Sequence, residues 1–262
     1  MPTVREIERA LYELAPRELA MEWDNVGLLV GSPDREVGRV LVALDVTESA
    51  AAEAADLGAE LIIAHHPVMN CAWAPVQTLR DDTPQGRLLT TLVRRNLSAI
   101  CMHTNLDRAQ RGVNDALAAA LGLEDVERLS GGDDIVRQGR LPAAMALPDF
   151  LERVGKALGP NGIRYTDGER PIRRVAVGGG ACGSFFRAAA AGGCDALVTA
   201  DVKYDQFLDA RALGLTLIDA GHFPTEDVIC PVLVRFLEER FCGLEVVRSA
   251  VHREVVQYFA VP

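Results

Sequence analysis

Apolar positions along the chain fall into two kinds of run. Short β-branched stretches alternate with longer Ala-rich stretches that carry polar residues at helical spacing, the pattern of βαβ units and a mainly parallel sheet. It predicts strands over 39–44, 61–64, 98–102, 172–177, 196–199 and 215–218. Helices are predicted over 4–14, 48–57, 85–96, 112–121, 185–191, 204–213 and 226–240. Residues 130–170, with GGDD, prolines and NG, read as a connection carrying a strand and one helix at 148–158.

The two halves echo each other without a gap: RVLVALDVTESAAAEAADLGAELIIAHH lies against RVAVGGGACGSFFRAAAAGGCDALVTAD. Ala and Gly supply many of the matches, but the alignment also sets strand on strand and helix on helix. It places His65 and His66 opposite Ala200 and Asp201, each pair just past a buried strand. The expected fold is therefore α/β, with two related lobes, 1–129 and 130–262, the C-terminal segment being free to pack back on the first. Both lobes would use their strand C-terminal ends, where ligands of open α/β sheets collect.

The length of 262 residues and the 49% hydrophobic content allow a sizeable core. A net charge of -10 and the lack of basic runs argue against nucleic-acid binding. An N-terminus that mixes charges with apolar residues does not read as a signal peptide, no run is long enough to span a membrane, and a cytoplasmic protein is expected. The cysteines Cys71, Cys101, Cys182, Cys194, Cys230 and Cys242 form no CxxC pair and read as buried thiols in a reducing compartment.

Candidate chemistry gathers at the strand ends. His65 and His66 follow LIIA and precede Pro67, whose ring blocks a helix and holds the pair in an extended turn. Adjacent side chains diverge there, so the two imidazoles suit neighbouring metals; hydrogen-bonding histidines at a strand end are the alternative. CMHTNLD offers His103 and Asp107, although Asn105 or Asp107 would also serve as a helix cap. DAGHFPTEDV spaces His222 and Glu226 four apart at a helix start, where Pro224 and Glu226 also suit first-turn roles. What favours metal is the joint occurrence: of five histidines, His65, His66, His103 and His222 sit at strand C-termini. Imidazoles with two carboxylates match the mixed nitrogen and oxygen donors of dinuclear hydrolytic centres, whose metals lie about 3.5–4 Å apart. His252, toward the C-terminus, reads as unrelated to this set.

WDNVGLLVG, LDVTES, AHHP, HTNLD, GGGACGS, TADVKYDQ and DAGHFPTE, in that order over nearly the whole chain, resemble the NIF-three-like family of hexameric dinuclear-metal proteins, often labelled GTP cyclohydrolase I type 2 homologues. The resemblance implies that His65, His66, Asp107, His222 and Glu226 are the metal ligands. It further implies two divalent ions per subunit, of zinc, iron or manganese, a toroidal homohexamer, and the short form without an insertion domain. The reading that follows is a metal-dependent hydrolase acting on a nucleotide-like or phosphorylated small molecule, with a metal-handling protein or a ring-shaped scaffold as alternatives. TADVKYDQ departs from the family's pattern, because Ala200 replaces a glycine and Asp205 a histidine. Asp201 and Lys203 remain and, with His103, are the candidates for a catalytic role.

Two further segments carry alternatives. Residues 178–183 spell G-x-G-x-x-G with Asp201 further on, the form of a dinucleotide fingerprint; a plain glycine turn between strand and helix is the competing reading, and a phosphate cradle a third. Trp23, Asp24 and Asn25 either line the site or leave Trp23 covering the sheet.

Overall fold

The computed structural model describes residues 1–69 and 75–259. Cys71 lies outside them. The chain divides into two compact units, Met1–Gln110 with Ile229–Arg253, and Arg111–Val228 with the segment from Glu254 onward.

The first unit contains α1 (Val4–Leu14), β1 (Gly27–Val30), β2 (Arg39–Ala43), α2 (Glu48–Asp56), β3 (Leu61–Ala64), α3 (Pro84–Arg94), β4 (Ser98–Cys101) and α4 (Thr104–Arg108). The second runs through α5 (Val113–Ala120), β5 (Glu124–Arg128), β6 (Arg137–Met145), α6 (Leu147–Leu158), β7 (Arg164–Thr166) and β8 (Ile172–Val177). It continues with α7 (Phe186–Ala191), β9 (Ala196–Thr199), α8 (Tyr204–Ala212), β10 (Thr216–Asp219) and α9 (His222–Glu226). The chain then returns to the first unit with α10 (Cys230–Arg240) and β11 (Glu245–Arg248).

The first sheet has the order β1-β4-β3-β2-β11, and every pairing except β1 with β4 is parallel. The residues of β3 and β4 are buried throughout, as expected of strands covered on both faces. Ala50, Ala51 and Ala54 of α2 and Leu88, Leu89 and Leu92 of α3 pack with Leu41, Ile62 and Ala99 of the sheet. Thr47 and Thr83 cap these two helices through their hydroxyls, each satisfying an amide that the helix leaves without a carbonyl.

The second sheet has the order β5-β6-β8-β9-β10-β7 and is mixed, with β8, β9 and β10 parallel. Its core joins Leu117, Phe150 and Val154 to Val175, Val177, Val198 and Ile218.

The echo in the sequence is a repeat in the topology. Each sheet contains the same four-strand block, an antiparallel edge followed by three parallel strands: β1-β4-β3-β2 in one and β7-β10-β9-β8 in the other. Registers agree position by position, since Val40 faces Leu61 in one unit and Val175 faces Ala196 in the other. The acid before the second parallel strand is also reused. Glu60 Oε2 accepts the amides of Gly38 and Arg39, and Asp195 Oδ2 those of Arg173 and Arg174. A register fixed by the same carboxylate clamp places equivalent residues at equivalent strand ends.

Some elements differ from expectation. The helix expected over 226–240 is broken into α9, a 3-10 turn (Asp227–Ile229) and α10. Pro231 stands at the start of α10, where a missing N–H costs nothing but an uninterrupted helix could not pass. The connection over 130–170 holds β6, α6 and β7. β5 is exposed along its whole length and so lacks the alternation that marks a strand. Cys101, Cys182, Cys194 and Cys230 are buried thiols, whereas Cys242 is exposed. Among the described residues no helix is long and apolar enough to cross a membrane.

Candidate metal centre

In the first unit the strand ends hold an imidazole cluster. The amides of His65 and His66 both donate to Leu44 O, at 3.0 and 3.1 Å, which fastens the turn after β3 to the end of β2. Their ring centroids lie 4.9 Å apart, and His103 lies 5.1 Å from His65 and 5.6 Å from His66. One ring nitrogen from each of these histidines lies within 4.8 Å of the others, a spacing that could hold a metal ion. Asp107, on α4 one turn beyond His103, brings Oδ1 to 3.6 Å from His65 Nε2. His65 is fully buried and Asp107 nearly so.

Each ring is turned by an acceptor behind it. His65 Nδ1 lies 2.8 Å from Met102 O, and a carbonyl only accepts, so Nδ1 carries the proton. His66 Nδ1 lies 2.7 Å from Asp45 Oδ1, and His103 Nδ1 lies 2.9 Å from Asp24 Oδ1. With Nδ1 protonated in this way, the neutral ring presents the Nε2 lone pair, the arrangement that orients metal-ligating histidines.

In the second unit β10 ends at Asp219, and Gly221, at φ 88°, turns the chain into α9. His222 Nδ1 lies 2.6 Å from Asp201 Oδ2, and its Nε2 lies 3.0 Å from Glu226 Oε2. Burial opposes a charge on His222, but hydrogen bonds and charge from Asp201 and Glu226 outweigh it and raise the imidazole to about 11. Without metal, the ring is therefore a cation between two carboxylates. A site that draws a proton into this position has the negative charge to hold a dication there once the proton leaves. Imidazoles and carboxylates grouped in this way could hold a metal ion.

The sequence model of Duf34/NIF3 (NGG1p interacting factor 3) matches residues 2–254, nearly the whole chain. The chain belongs to the Duf34/NIF3 family. It is 37% identical over 250 residues to a Streptomyces coelicolor protein named GTP cyclohydrolase 1 type 2 homolog, covering 91% of this chain and 87% of that one. A Helicobacter pylori protein named GTP cyclohydrolase 1 type 2 is 34% identical over 226 residues, covering 86% and 88%. The solved structure of a Bacillus cereus protein related to NIF3 superposes with a TM-score of 0.90 at 24% identity, covering 99% of both chains, which establishes the shared fold.

In this Duf34/NIF3 chain the glycine loop 178–183 packs against His222 and Glu226 of its own unit. The Gly179 amide donates to Asn114 Oδ1 at 2.7 Å and the Gly180 amide to Thr225 Oγ1 at 3.1 Å, so neither is spare for a phosphate. The loop leads into a 3-10 turn and the short α7, not the long helix of a dinucleotide site. A Cβ at Gly180 would collide with Glu226 Oε1 and stand 3.0 Å from His222 Nε2. These glycines make room for a carboxylate.

The departures at 200 and 205 have visible settings. Ala200 is buried with its amide on Gly180 O, and the positive φ of the turn, 51°, falls on Asp201. Aspartate tolerates that conformation better than most residues. Lys203 is exposed at the N-cap of α8, and its amide meets Gln206 Oε1 at 2.9 Å. Asp205 is exposed in the first turn of the same helix.

Sequence alone does not mark the carboxylates behind the rings as ring partners. Asp24 was visible only as part of the WDN motif, and Asp45 only as part of LDVTES. His252 is not unrelated: β11 pairs with β2 in parallel, Arg248 facing Val42, and the following turn brings His252 Nε2 to 2.8 Å from Asp45 Oδ2. Trp23 meets His103 edge to face at 6.0 Å, so the WDN segment lines this cluster.

Asp24 yields a stability prediction. Burial raises its carboxyl, but hydrogen bonds and charge from His103 and the hydroxyl and amide of Thr104 lower it to about 2, against an ordinary 3.8. A depressed carboxylate contributes stability above its unfolded value and loses it as pH falls through the folded one. The shift corresponds to about 2 kcal/mol. In urea unfolding of metal-free protein, wild type is expected to exceed Asp24→Asn by about this amount at neutral pH. The gap should close as pH falls from about 4 to about 2. A gap independent of pH over that window would refute the assignment.

Proposed function

We propose that this chain is a dinuclear metal-dependent hydrolase whose substrate is a nucleotide-like or phosphorylated small molecule. On this reading His65, His66, Asp107, His222 and Glu226 hold up to two divalent transition-metal ions. The observation that carries it is the orientation of the rings: His65 and His66 have Nδ1 tied to a carbonyl and a carboxylate, which presents Nε2, and His222 has Nδ1 on Asp201 and aims Nε2 at Glu226 Oε2, where an ion would take the place of the proton.

Bound metals supply a Lewis acid for the scissile group and lower the pKa of a water. The chain's own residues do the rest. Asp107 and Glu226 are nearly buried, so their charge acts in a medium where it is poorly screened. His103 is not in the proposed ligand set. Backed by Asp24, it is placed to hold or give up a proton at Nε2 beside the other imidazoles. Asp201 holds His222 in its tautomer, and Lys203, exposed on the strand-end turn that follows Asp201, suits an anionic group of a substrate. The nucleotide-like class draws support from the names of the relatives. The resemblance also supports a homohexamer.

The test is turnover at fixed metal. Protein reconstituted with zinc, manganese or ferrous iron should convert many equivalents of at least one member of a panel of GTP, other nucleotides and phosphoesters, and a chelator should abolish it. Metal passed stoichiometrically to an acceptor without turnover would replace the hydrolase with a carrier. A ring that falls apart on chelation, seen by light scattering, with no turnover in any metal form would replace it with a scaffold.

A further inference from the structure

Asp45 is shared between two imidazoles. Its Oδ1 takes His66 Nδ1 at 2.7 Å and its Oδ2 takes His252 Nε2 at 2.8 Å, although 207 residues separate Asp45 from His252. The carboxylate itself is part exposed, with a side-chain exposure of 39%, and it follows the end of β2 on irregular backbone. A carboxylate so placed has rotamers that turn it away into water. One hydrogen bond to His66 leaves that swing available, whereas a second on the opposite oxygen removes it.

His252 is built in. Ser249, just past β11, gives its amide to Val42 O at 2.8 Å and its hydroxyl to Glu53 of α2. The Ala250 amide meets Glu53 Oε1 at 2.8 Å, and the His252 amide meets Ser249 Oγ at 3.1 Å. This turn fixes the His252 backbone on the first sheet and leaves its side chain 9% exposed against Asp45. His252 Nε2 faces both the Asp45 amide, at 3.3 Å, and Asp45 Oδ2, at 2.8 Å; because a carboxylate oxygen accepts, Nε2 donates in the shorter contact.

We propose that His252 is a positioning residue for His66: by holding one oxygen of Asp45, it keeps the other on His66 Nδ1 and so keeps His66 in the tautomer that presents Nε2. The inference rests on the proposed metal role of His66. Outer partners of metal-bound histidine typically change metal affinity 10–100-fold when removed. His252 stands one residue further out and is expected near the lower end of that range.

The experiment compares wild type with His252→Phe, which keeps bulk without a donor, and His252→Gln, whose amide restores one. Imidazole nitrogen NMR of the metal-free protein reads the tautomer of His66 directly. Wild type and His252→Gln should show one form protonated at Nδ1, and His252→Phe a mixture. Competition with a chromophoric chelator should show zinc bound about 10-fold more weakly by His252→Phe and within about 3-fold of wild type by His252→Gln. Wild-type tautomer and affinity in His252→Phe would overturn the proposal. So would equal losses in both variants, which would mark His252 as a packing residue. A wild type that binds no zinc but shows the tautomer change would refute the metal centre and leave the positioning intact.

Discussion

Gly180→Ala is expected to fold and to lose the metal-binding capacity of His222 and Glu226. The residue has φ +60°, and an alanine held there costs about 1–2 kcal/mol. The new methyl group would also occupy the space of Glu226 Oε1 and lie 3.0 Å from both Glu226 Cδ and His222 Nε2. Oε1 is the far end of a flexible side chain, so the chain accommodates the methyl by moving the carboxylate and not by unfolding. The displaced carboxylate leaves both the imidazole and any ion it would share. Elemental analysis after reconstitution with excess zinc should find at least one ion fewer per chain than in wild type, with a modest fall in thermal midpoint. Wild-type metal content in Gly180→Ala would show that Glu226 is not held where ligation requires it.

That prediction turns on a loop whose sequence spells a nucleotide fingerprint, and the contrast shows what the sequence carried. Strand positions were legible because β3 and β9 are buried apolar runs and β8 ends in one, and such runs need no partner to be recognised. The repeat was legible for the same reason, and the equal registers of the two strand pairs bear it out. The candidate donors were legible because histidine is scarce in the chain and sits at strand ends. What was not legible is what stands behind each ring. Aspartates are common on loops, and nothing local distinguishes Asp45, which meets His66, from any capping residue. His252 reaches Asp45 only because β11 adds to the edge of β2, a pairing between residues some two hundred positions apart. The purpose of Gly180 was hidden likewise, since the carboxylate it admits comes from α9 and not from its own βα turn.

The repeat also shows how one scaffold yields unlike halves. His66 and Asp201 occupy equivalent positions after equivalent strands, as do Asp45 and Gly180. In the first unit the later position supplies the imidazole and the earlier one the carboxylate behind it. In the second unit the later position supplies the carboxylate, and the imidazole comes from the next strand end as His222. Removing a donor from each unit separately is therefore the sharpest examination of the proposed ligand set.

Glu226→Gln and His66→Ala are both expected to lower metal content, and Lys203→Ala to leave it unchanged. Glutamine matches glutamate in shape, so the change removes the charge of a nearly buried carboxylate with little change in packing. A dication loses much hydration on entering such a site, and the charge that offsets this loss is then missing. His66→Ala removes a donor outright and strands Asp45 with His252 alone. Removal of an outer partner commonly costs 10–100-fold in affinity, so removal of a ligand should cost at least about 100-fold. Lys203 is a protonated amine with no lone pair and is exposed. Its loss should weaken only an anionic ligand's contact. Metal stoichiometry at equal zinc, measured on the three variants beside wild type, decides the matter. Equal content in Glu226→Gln and wild type would remove Glu226 from the ligand set, and equal content in His66→Ala would do the same for His66. Loss of metal in Lys203→Ala would mean that the lysine supports the centre itself and not its substrate.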